Sequence, residues 1–154
     1  AFEKFNVDHV KLPCIGVDGP PDPKTVNEFV YLVQKHCHGP RGNTFIAVHC
    51  THGHNRTGAM LVHYATRIWS IRVDRAIYEF SRLRPPGIYK ENYIRQLFNY
   101  YHTVRHPGLR SSGTPWWKGG TQYPMNKAKL VPADDDLFGP SNDEYQKTPT
   151  HSPY

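Results

Sequence analysis

The stretch from His49 to Gly58 carries the residues best suited to chemistry. It reads HCTHGHNRTG, so Cys50 and Arg56 stand six positions apart, with Gly53 between them and Thr57 directly after. A cysteine thiolate is a nucleophile, and a guanidinium can hold two phosphate oxygens through parallel hydrogen bonds. The spacing therefore predicts one loop that contains both a nucleophile and a cradle for an oxyanion, which is typical of a phosphatase site.

The flanking sequence predicts how this loop is held. Residues 44–48 are apolar and partly β-branched, which predicts a buried strand, and residues 57–69 are apolar over most of their length, which predicts a largely buried helix. Backbone amides converge at the start of a helix, where the dipole is positive, and this favours bound anions. The same field favours the thiolate of Cys50, because such settings lower a cysteine pKa to about 3.5–7.5.

Further elements follow from apolar spacing and from Gly and Pro positions. Residues 7–13 alternate like a strand, Val26, Phe29, Val30, Val33 and Cys37 follow helical spacing from Thr25, and Ser70 is a candidate N-cap for a helix that Arg84-Pro85-Pro86-Gly87 ends. A last helix is predicted over about residues 91–101. Strands separated by helices predict an α/β fold, with a central, mostly parallel sheet flanked by helices. Two strands are too few for such a sheet, so we expect the N-terminal part of the domain to be missing from this fragment.

Composition divides the 154-residue chain into two parts. Residues 1–106 contain fourteen Lys and Arg against eight Asp and Glu, and residues 107–154 contain five of each, for a formal net charge of +6. The length predicts one folded domain with a core of its own. The excess of basic residues in 1–106 suits an anionic polymer such as RNA, although basic surfaces are also common without such a partner. Gly, Pro, Ser and Thr are frequent after residue 107, which predicts a linker or disordered tail. Within it, Trp116-Trp117 either docks onto another surface or clasps the domain locally.

The cysteine and hydropathy patterns narrow the class of protein. Cys14, Cys37 and Cys50 form no disulfide framework, which favours a reducing compartment. The chain has no apolar run of membrane-spanning length and no signal peptide at its start. Its His and Cys spacings fit no usual zinc finger, so no metal is expected.

Three separated segments together resemble one family. The string from His49 to Gly58 is similar to the loop of cysteine-dependent tyrosine and dual-specificity phosphatases, and more narrowly to that of the RNA 5′-triphosphatase domains of metazoan and plant mRNA capping enzymes. Residues 84–90, RPPGIYK, resemble a second segment of those domains, and residues 10–14 resemble the strand before the active site. The resemblance covers about residues 3–103 and implies a cysteine-phosphatase fold.

The resemblance also implies roles for the loop residues. Cys50 would attack the γ-phosphorus of triphosphate-ended RNA, Arg56 would bind the equatorial oxygens, and Thr57 would stabilise the thiolate or assist hydrolysis of the phosphocysteine. His49 would orient the loop. The remaining phosphate-loop residues would be Thr51, His52, Gly53, His54 and Asn55. His52 and His54 either contact RNA phosphates or are exposed loop residues.

A general acid is less evident. Related protein phosphatases protonate a poor leaving group with a separate aspartate, and the candidates here are Asp18 and Asp22. A diphosphate-ended RNA leaves as a stabilised anion, so help of about 10²–10⁴-fold from an acid matters less. Lys90 is a candidate contact for an outer phosphate.

The resemblance further implies partners and a place of action. It predicts a covalently linked guanylyltransferase domain after the tail, association with RNA polymerase II, a nuclear location, and no cofactor. One alternative is a stand-alone dual-specificity or RNA phosphatase. An alternative of another class is a non-catalytic phosphate-binding module.

Overall fold

One central helix organises the part of the chain that the structure describes. The computed structural model describes residue 4 and residues 7–14, 19–39 and 45–120. These form four helices: α1 (Pro23–Cys37), α2 (Asn55–Ile68), α3 (Val73–Leu83) and α4 (Glu91–Tyr100), followed by a 3₁₀ turn at Trp116–Lys118. Helix α2 packs against each of the other three helices, so the loop that leads into it is held by the middle of the fold.

Helix α1 begins at a well-formed cap. The carboxylate of Asp22 accepts the backbone amide of Thr25 at 3.0 Å and its hydroxyl at 2.6 Å, and Pro23 occupies the first turn. Val26 and Phe29 are buried on the inner face, as the spacing predicted. Cys37, which the same pattern placed on that face, is exposed because it is the last residue of the helix.

Helix α2 is buried along most of its length, as predicted. Gly58 allows the close approach of its neighbours: a Cβ atom at this position would lie 2.5 Å from Phe80 and 2.6 Å from Ile88. Real Cβ atoms do not come so close to carbon, so a larger residue would push the two side chains away. The glycine after Thr57 therefore serves packing.

Helix α3 begins differently from the prediction. The N-cap is Arg72, whereas Ser70 lies in the left-handed region at φ 55° and ends the preceding turn. The buried carboxylate of Asp74 accepts two hydrogen bonds from the Arg72 guanidinium, at 3.1 and 2.6 Å, and one from the Arg75 amide. Asp74, in the first turn, thus accepts a backbone amide at the start of α3, as was expected of a Ser70 cap, and places a negative charge there. The break at residues 84–87 and the helix that follows it are confirmed.

The two predicted strands do not form in the part of the chain that the structure describes. Residues 7–13 and 45–48 carry no strand, and Thr44 lies outside the described residues. Leu12, Cys14 and Val48 are nevertheless partly buried against the α1 and α2 side chains, whereas residues 7–11 and 45–47 are all exposed. A strand needs a neighbour to take its backbone hydrogen bonds, and no partner strand lies beside these segments among the described residues. Of the predicted α/β fold, the described residues therefore show the helices but not the sheet.

The packed part of the chain extends beyond the predicted boundary at residue 106. Leu109 is buried in the cluster formed by α2, α3 and α4, and Pro115 is also buried. The Ser112 hydroxyl donates to the carbonyl oxygen of Pro86 at 3.3 Å. Residues 107–120 thus lie against the domain, while residues 121–154 of the predicted tail lie outside the described residues. None of the described helices is long and apolar enough to cross a bilayer.

Candidate active site

The loop before α2 wraps around one sulfur atom. Gly53 has a φ of 70°, in the left-handed region that favours glycine. This turn aims its backbone amide at the Cys50 sulfur, to which it donates at 3.3 Å. The loop then passes His54, the N-cap of α2, so the sulfur lies just before the positive end of the helix dipole. The structure therefore brings Gly53 and the start of α2 to the Cys50 sulfur.

The surroundings of Cys50 favour its thiolate. Burial by itself raises the pKa of this thiol. Hydrogen-bond donors near the sulfur outweigh this effect and lower the pKa to about 7. The largest contribution comes from the Thr57 hydroxyl, followed by the backbone amides of His52, Thr57 and Gly53. The buried Thr57 hydroxyl has no hydrogen-bond partner within the described residues, so no competing acceptor holds it away from the sulfur. A large fraction of Cys50 is thus ionised at neutral pH.

Arg56 follows the loop in the first turn of α2 and is tied to a second loop through Tyr93. Burial raises the pKa of the Tyr93 hydroxyl, and a hydrogen bond from Arg56 acts against that rise. The same hydroxyl donates to the carbonyl oxygen of Gly19 at 2.6 Å. Tyr93 therefore links the guanidinium to residues 19–22. Sequence reasoning placed Tyr93 in the core only, although a buried tyrosine needs a partner for its hydroxyl.

Asn55 joins the phosphate loop to the RPPGIYK segment. Its side-chain oxygen accepts the backbone amides of Tyr89 and Lys90, both at 3.0 Å, and the residue is buried. The sequence predicts a role in phosphate binding for Asn55, and its local spacing gives no indication of this contact. The available signal was its type: an asparagine at the start of a buried helix needs partners for its amide group.

His54 packs into the site rather than facing solvent. Its ring lies 6.0 Å from that of Tyr89 and 5.8 Å from that of Trp117, between ring centroids. Burial lowers the pKa of His54, and the charges of Arg84 and His52 add to this effect. The Arg84 guanidinium also lies close to the loop, since a Cβ atom at Gly53 would be 3.5 Å from its Nη2.

The other predicted site residues make no side-chain contact with Cys50 in the part of the chain that the structure describes. The side chains of His49, Thr51 and His52 are exposed, so the orienting role of His49 stays a prediction. Asp22 caps α1, and its hydrogen bonds from Thr25 hold the pKa of its carboxyl below the usual value, which suits a structural role better than proton donation. Asp18 lies outside the described residues. Lys90 is half-buried, with its backbone fixed by Asn55.

Comparison with known proteins supports a phosphatase relationship. Over 103 residues, 67% of its length, the chain is 37% identical to an mRNA-capping enzyme of Danio rerio, and it spans only 17% of that relative. It is 38% identical over 94 residues to an RNA/RNP complex-1-interacting phosphatase of Homo sapiens, covering 60% of this chain and 28% of the relative. A tyrosine-protein phosphatase of Autographa californica nuclear polyhedrosis virus is 34% identical over 96 residues, 62% of this chain and 56% of the relative.

The chain is homologous to mRNA-capping enzymes and phosphatases. No model of a known protein family matches it. The chain spans about a sixth of the length of the capping enzymes that it matches. The phosphatase homologues favour a cysteine-phosphatase fold, of which the described residues show the helices and the loop around Cys50.

Proposed function

We propose that the protein is a polynucleotide 5′-phosphatase, an RNA 5′-triphosphatase that removes the γ-phosphate of nascent mRNA in the first step of capping. One observation carries the proposal: the Cys50 sulfur, with a pKa of about 7, accepts the Gly53 amide directly before the start of α2. A partly ionised thiol at a helix N-terminus is both a nucleophile and the floor of an anion site. Arg56 supplies the permanent positive charge.

The reaction has two steps. The thiolate of Cys50 attacks the γ-phosphorus, a sulfur–phosphorus bond forms, and the bond to the bridging oxygen breaks, so that diphosphate-ended RNA leaves. Arg56 and the loop amides bind the equatorial oxygens, whose charge they stabilise in the transition state. Water then attacks the phosphocysteine, the sulfur–phosphorus bond breaks, and inorganic phosphate is released. The Thr57 hydroxyl stabilises the departing thiolate through the contact that already lowers its pKa.

The state of Asp22 supports a phosphoanhydride substrate. Asp22 is occupied by Thr25 and its pKa is lowered, which makes it a poor proton donor at neutral pH. A diphosphate leaving group needs less protonation than the phenoxide of phosphotyrosine. Of the two candidate acids, the one that the structure describes therefore suits a triphosphate end better than a protein phosphoester.

The test compares two substrates on the purified protein. We expect faster phosphate release from triphosphate-ended RNA than from a phosphotyrosine peptide, full inhibition by iodoacetate, and activity that persists after magnesium is chelated. Cys50→Ser serves as the control for contaminating phosphatases. Dominant activity on the peptide that depends on Cys50 would overturn the triphosphatase assignment, and activity that survives iodoacetate but needs magnesium would overturn the mechanism.

A stand-alone dual-specificity or RNA phosphatase is the second candidate. One observation favours it: the chain spans 56% of the length of the viral tyrosine-protein phosphatase, but only 17% of the length of the Danio rerio capping enzyme. In the first candidate a guanylyltransferase domain is covalently linked, and the protein works in the nucleus beside RNA polymerase II. Guanylyl transfer by the full-length protein, measured as a covalent protein–GMP adduct, separates the two.

A further inference from the structure

Two neighbouring tryptophans lie on the surface next to the candidate site. Trp116 is 52% exposed and Trp117 is 44% exposed, and their rings meet edge to face at 6.1 Å between centroids. Large aromatic side chains exposed in pairs are unusual for surface that has no binding role. The proposed chemistry at Cys50 makes no use of either ring.

A tight turn fixes this pair. Lys118 and Gly120 donate their backbone amides to the carbonyl oxygen of Pro115, at 2.9 and 3.2 Å. Gly119 lies at φ 80°, and a Cβ atom on Gly120 would be only 1.8 Å from the carbonyl oxygen of Thr114. Both positions thus require glycine, for the backbone angle and for the close approach. The turn therefore presents its rings in a defined geometry.

Trp117 rests directly on the phosphate loop. Its ring lies 5.8 Å from the ring of His54, at an angle of 36° between the planes. His54 is only 5% exposed and is supported on another side by Tyr89. Trp117 is thus backed by a buried residue of the loop, while much of its own surface stays open to solvent.

Positive charge surrounds the same place. The Arg84 guanidinium lies over Gly53 and close enough to His54 to lower the pKa of that ring. Lys118 is exposed in the turn itself. Cations and an exposed aromatic ring thus lie beside the same loop, a combination that proteins use to bind single-stranded nucleic acids.

From this juxtaposition of Trp117, His54 and the phosphate loop, we propose that Trp117 is a stacking platform for a nucleobase near the 5′ end of single-stranded RNA, while the terminal phosphate occupies the loop. The inference rests on the proposed function, because it assigns the part of the substrate that follows the triphosphate. Stacking tolerates any base, since every base has a π-face. The subsite would thus strengthen binding of RNA relative to phosphates that carry no base, and it would do so for any RNA sequence.

The test measures binding in a Cys50→Ser background, where no turnover occurs. The probes are a triphosphate-ended oligoribonucleotide, inorganic tripolyphosphate, which has no base, and a phosphotyrosine peptide. We expect Trp117→Ala to weaken binding of the oligoribonucleotide about 5- to 160-fold, the range for one lost base stack, and to leave the affinity for tripolyphosphate within about twofold. Trp117→Phe should restore part of the loss, because a smaller ring still stacks.

Trp69 provides the matched control. It is 64% exposed and directly follows α2, whereas the phosphate loop directly precedes this helix. A helix of 14 residues is about 21 Å long. Trp69→Ala should leave both affinities unchanged. In a Trp69→Phe, Trp116→Phe variant the fluorescence of Trp117 should be quenched by the oligoribonucleotide and not by tripolyphosphate, which tests the contact with Trp117 intact.

Several results would overturn the inference. Equal weakening of the oligoribonucleotide and tripolyphosphate by Trp117→Ala would mean that Trp117 only supports the loop. An unchanged oligoribonucleotide affinity, or an equal loss for the phosphotyrosine peptide, would remove the nucleobase assignment. The proposed function is tested separately by phosphate release with Cys50 intact, so its failure is distinguishable from failure of the stacking platform.

Discussion

The side-chain oxygen of Asn55 accepts the backbone amide of Lys90 at 3.0 Å, across 35 residues of sequence. The same oxygen accepts the amide of Tyr89, so one acceptor fixes two successive amides just before α4. Asn55 is the first residue of α2, and Lys90 is the N-cap of α4. The phosphate loop and the segment that carries Arg84 and Lys90 are thereby held as one unit.

The Asn55 contact predicts that two substitutions will have different effects. Asn55→Ala leaves two amides without their acceptor, so we expect it to lower the free energy of unfolding by about 1–3 kcal/mol and to raise KM. Asn55→Asp keeps the acceptor and should retain stability, but it places a negative charge beside the phosphate and should still lower kcat/KM. Urea unfolding and steady-state kinetics on triphosphate-ended RNA measure the two effects. A stable, fully active Asn55→Ala protein would contradict this view.

The sequence predicted those features that local spacing determines. Apolar spacing located α1, α2 and α4 to within a few residues, because each helix buries one face against its neighbours. The Cys50 to Thr57 spacing predicted a loop at a helix start, and the structure places the Gly53 amide against the Cys50 sulfur directly before α2. Their chemical roles stay predictions.

Features set by distant parts of the chain were not predictable in the same way. The contacts of Asn55 with Tyr89 and of Trp117 with His54 each join segments far apart in sequence, and no local pattern encodes such pairs. The strand predicted at residues 44–48 is the reverse case, an element that the local pattern predicts and that does not form in the described residues 45–48. Its composition is right for a strand, yet Phe45 is fully exposed and Ile46 is 41% exposed, since a strand is specified by its partners as much as by its own residues.

Cys50→Ser tests the nucleophile separately from the anion site. We expect turnover to fall to background, because a serine hydroxyl is far less ionised than a thiol at neutral pH. Inorganic phosphate should still raise the midpoint of thermal unfolding, as in the parent protein, since the loop amides and Arg56 remain. Loss of this stabilisation together with activity would count against the separate roles.

Arg56→Lys tests whether a planar guanidinium is needed. A lysine keeps the charge but cannot form two parallel hydrogen bonds to equatorial oxygens, so we expect kcat to fall about 10²–10³-fold. Arg67→Lys is the matched control, because Arg67 lies in the last turn of the same helix and bonds Asn27 and Tyr100. Near-normal turnover by Arg56→Lys would remove the bidentate role.

Thr57→Val tests the cause of the lowered Cys50 pKa. In the parent protein kcat/KM should rise with pH and level off above about 7, where the thiol of the free enzyme is ionised. Removal of the hydroxyl takes away a donor to the thiolate, so the pKa should rise and the acidic limb should move to higher pH. The rate of iodoacetamide alkylation against pH measures the shift directly.

Thr66→Val is the control for the Thr57 substitution. Thr66 belongs to the same helix and also has a buried hydroxyl with no partner within the described residues, yet it lies in the last turns of the helix. Its substitution should leave the alkylation profile unchanged. An unchanged profile for Thr57→Val as well would mean that the loop amides alone set the pKa of Cys50.

The buried His63 should make the free energy of unfolding depend on pH. The residue is 3% exposed, its Nδ1 lies 2.8 Å from the Tyr101 hydroxyl, and its ring packs against Tyr100 and Tyr101. Burial, with a contribution from the charge of Arg67, lowers the pKa of His63 to about 4. The unfolded chain, with an imidazole pKa of about 6.5, therefore binds more protons between those values. Stability from this residue is complete above about pH 6.5 and is lost as pH falls toward 4.

The full loss from His63 corresponds to about 3 kcal/mol, from a pKa difference near 2.5. Urea unfolding at pH 7 and at pH 5 should show part of this difference, and His63→Asn should flatten the slope even though it lowers stability at pH 7. The exposed His102, at φ 51°, accepts asparagine without strain, so His102→Asn should keep the parent slope. If His63→Asn kept that slope too, the acid sensitivity of the domain would have to arise from other groups.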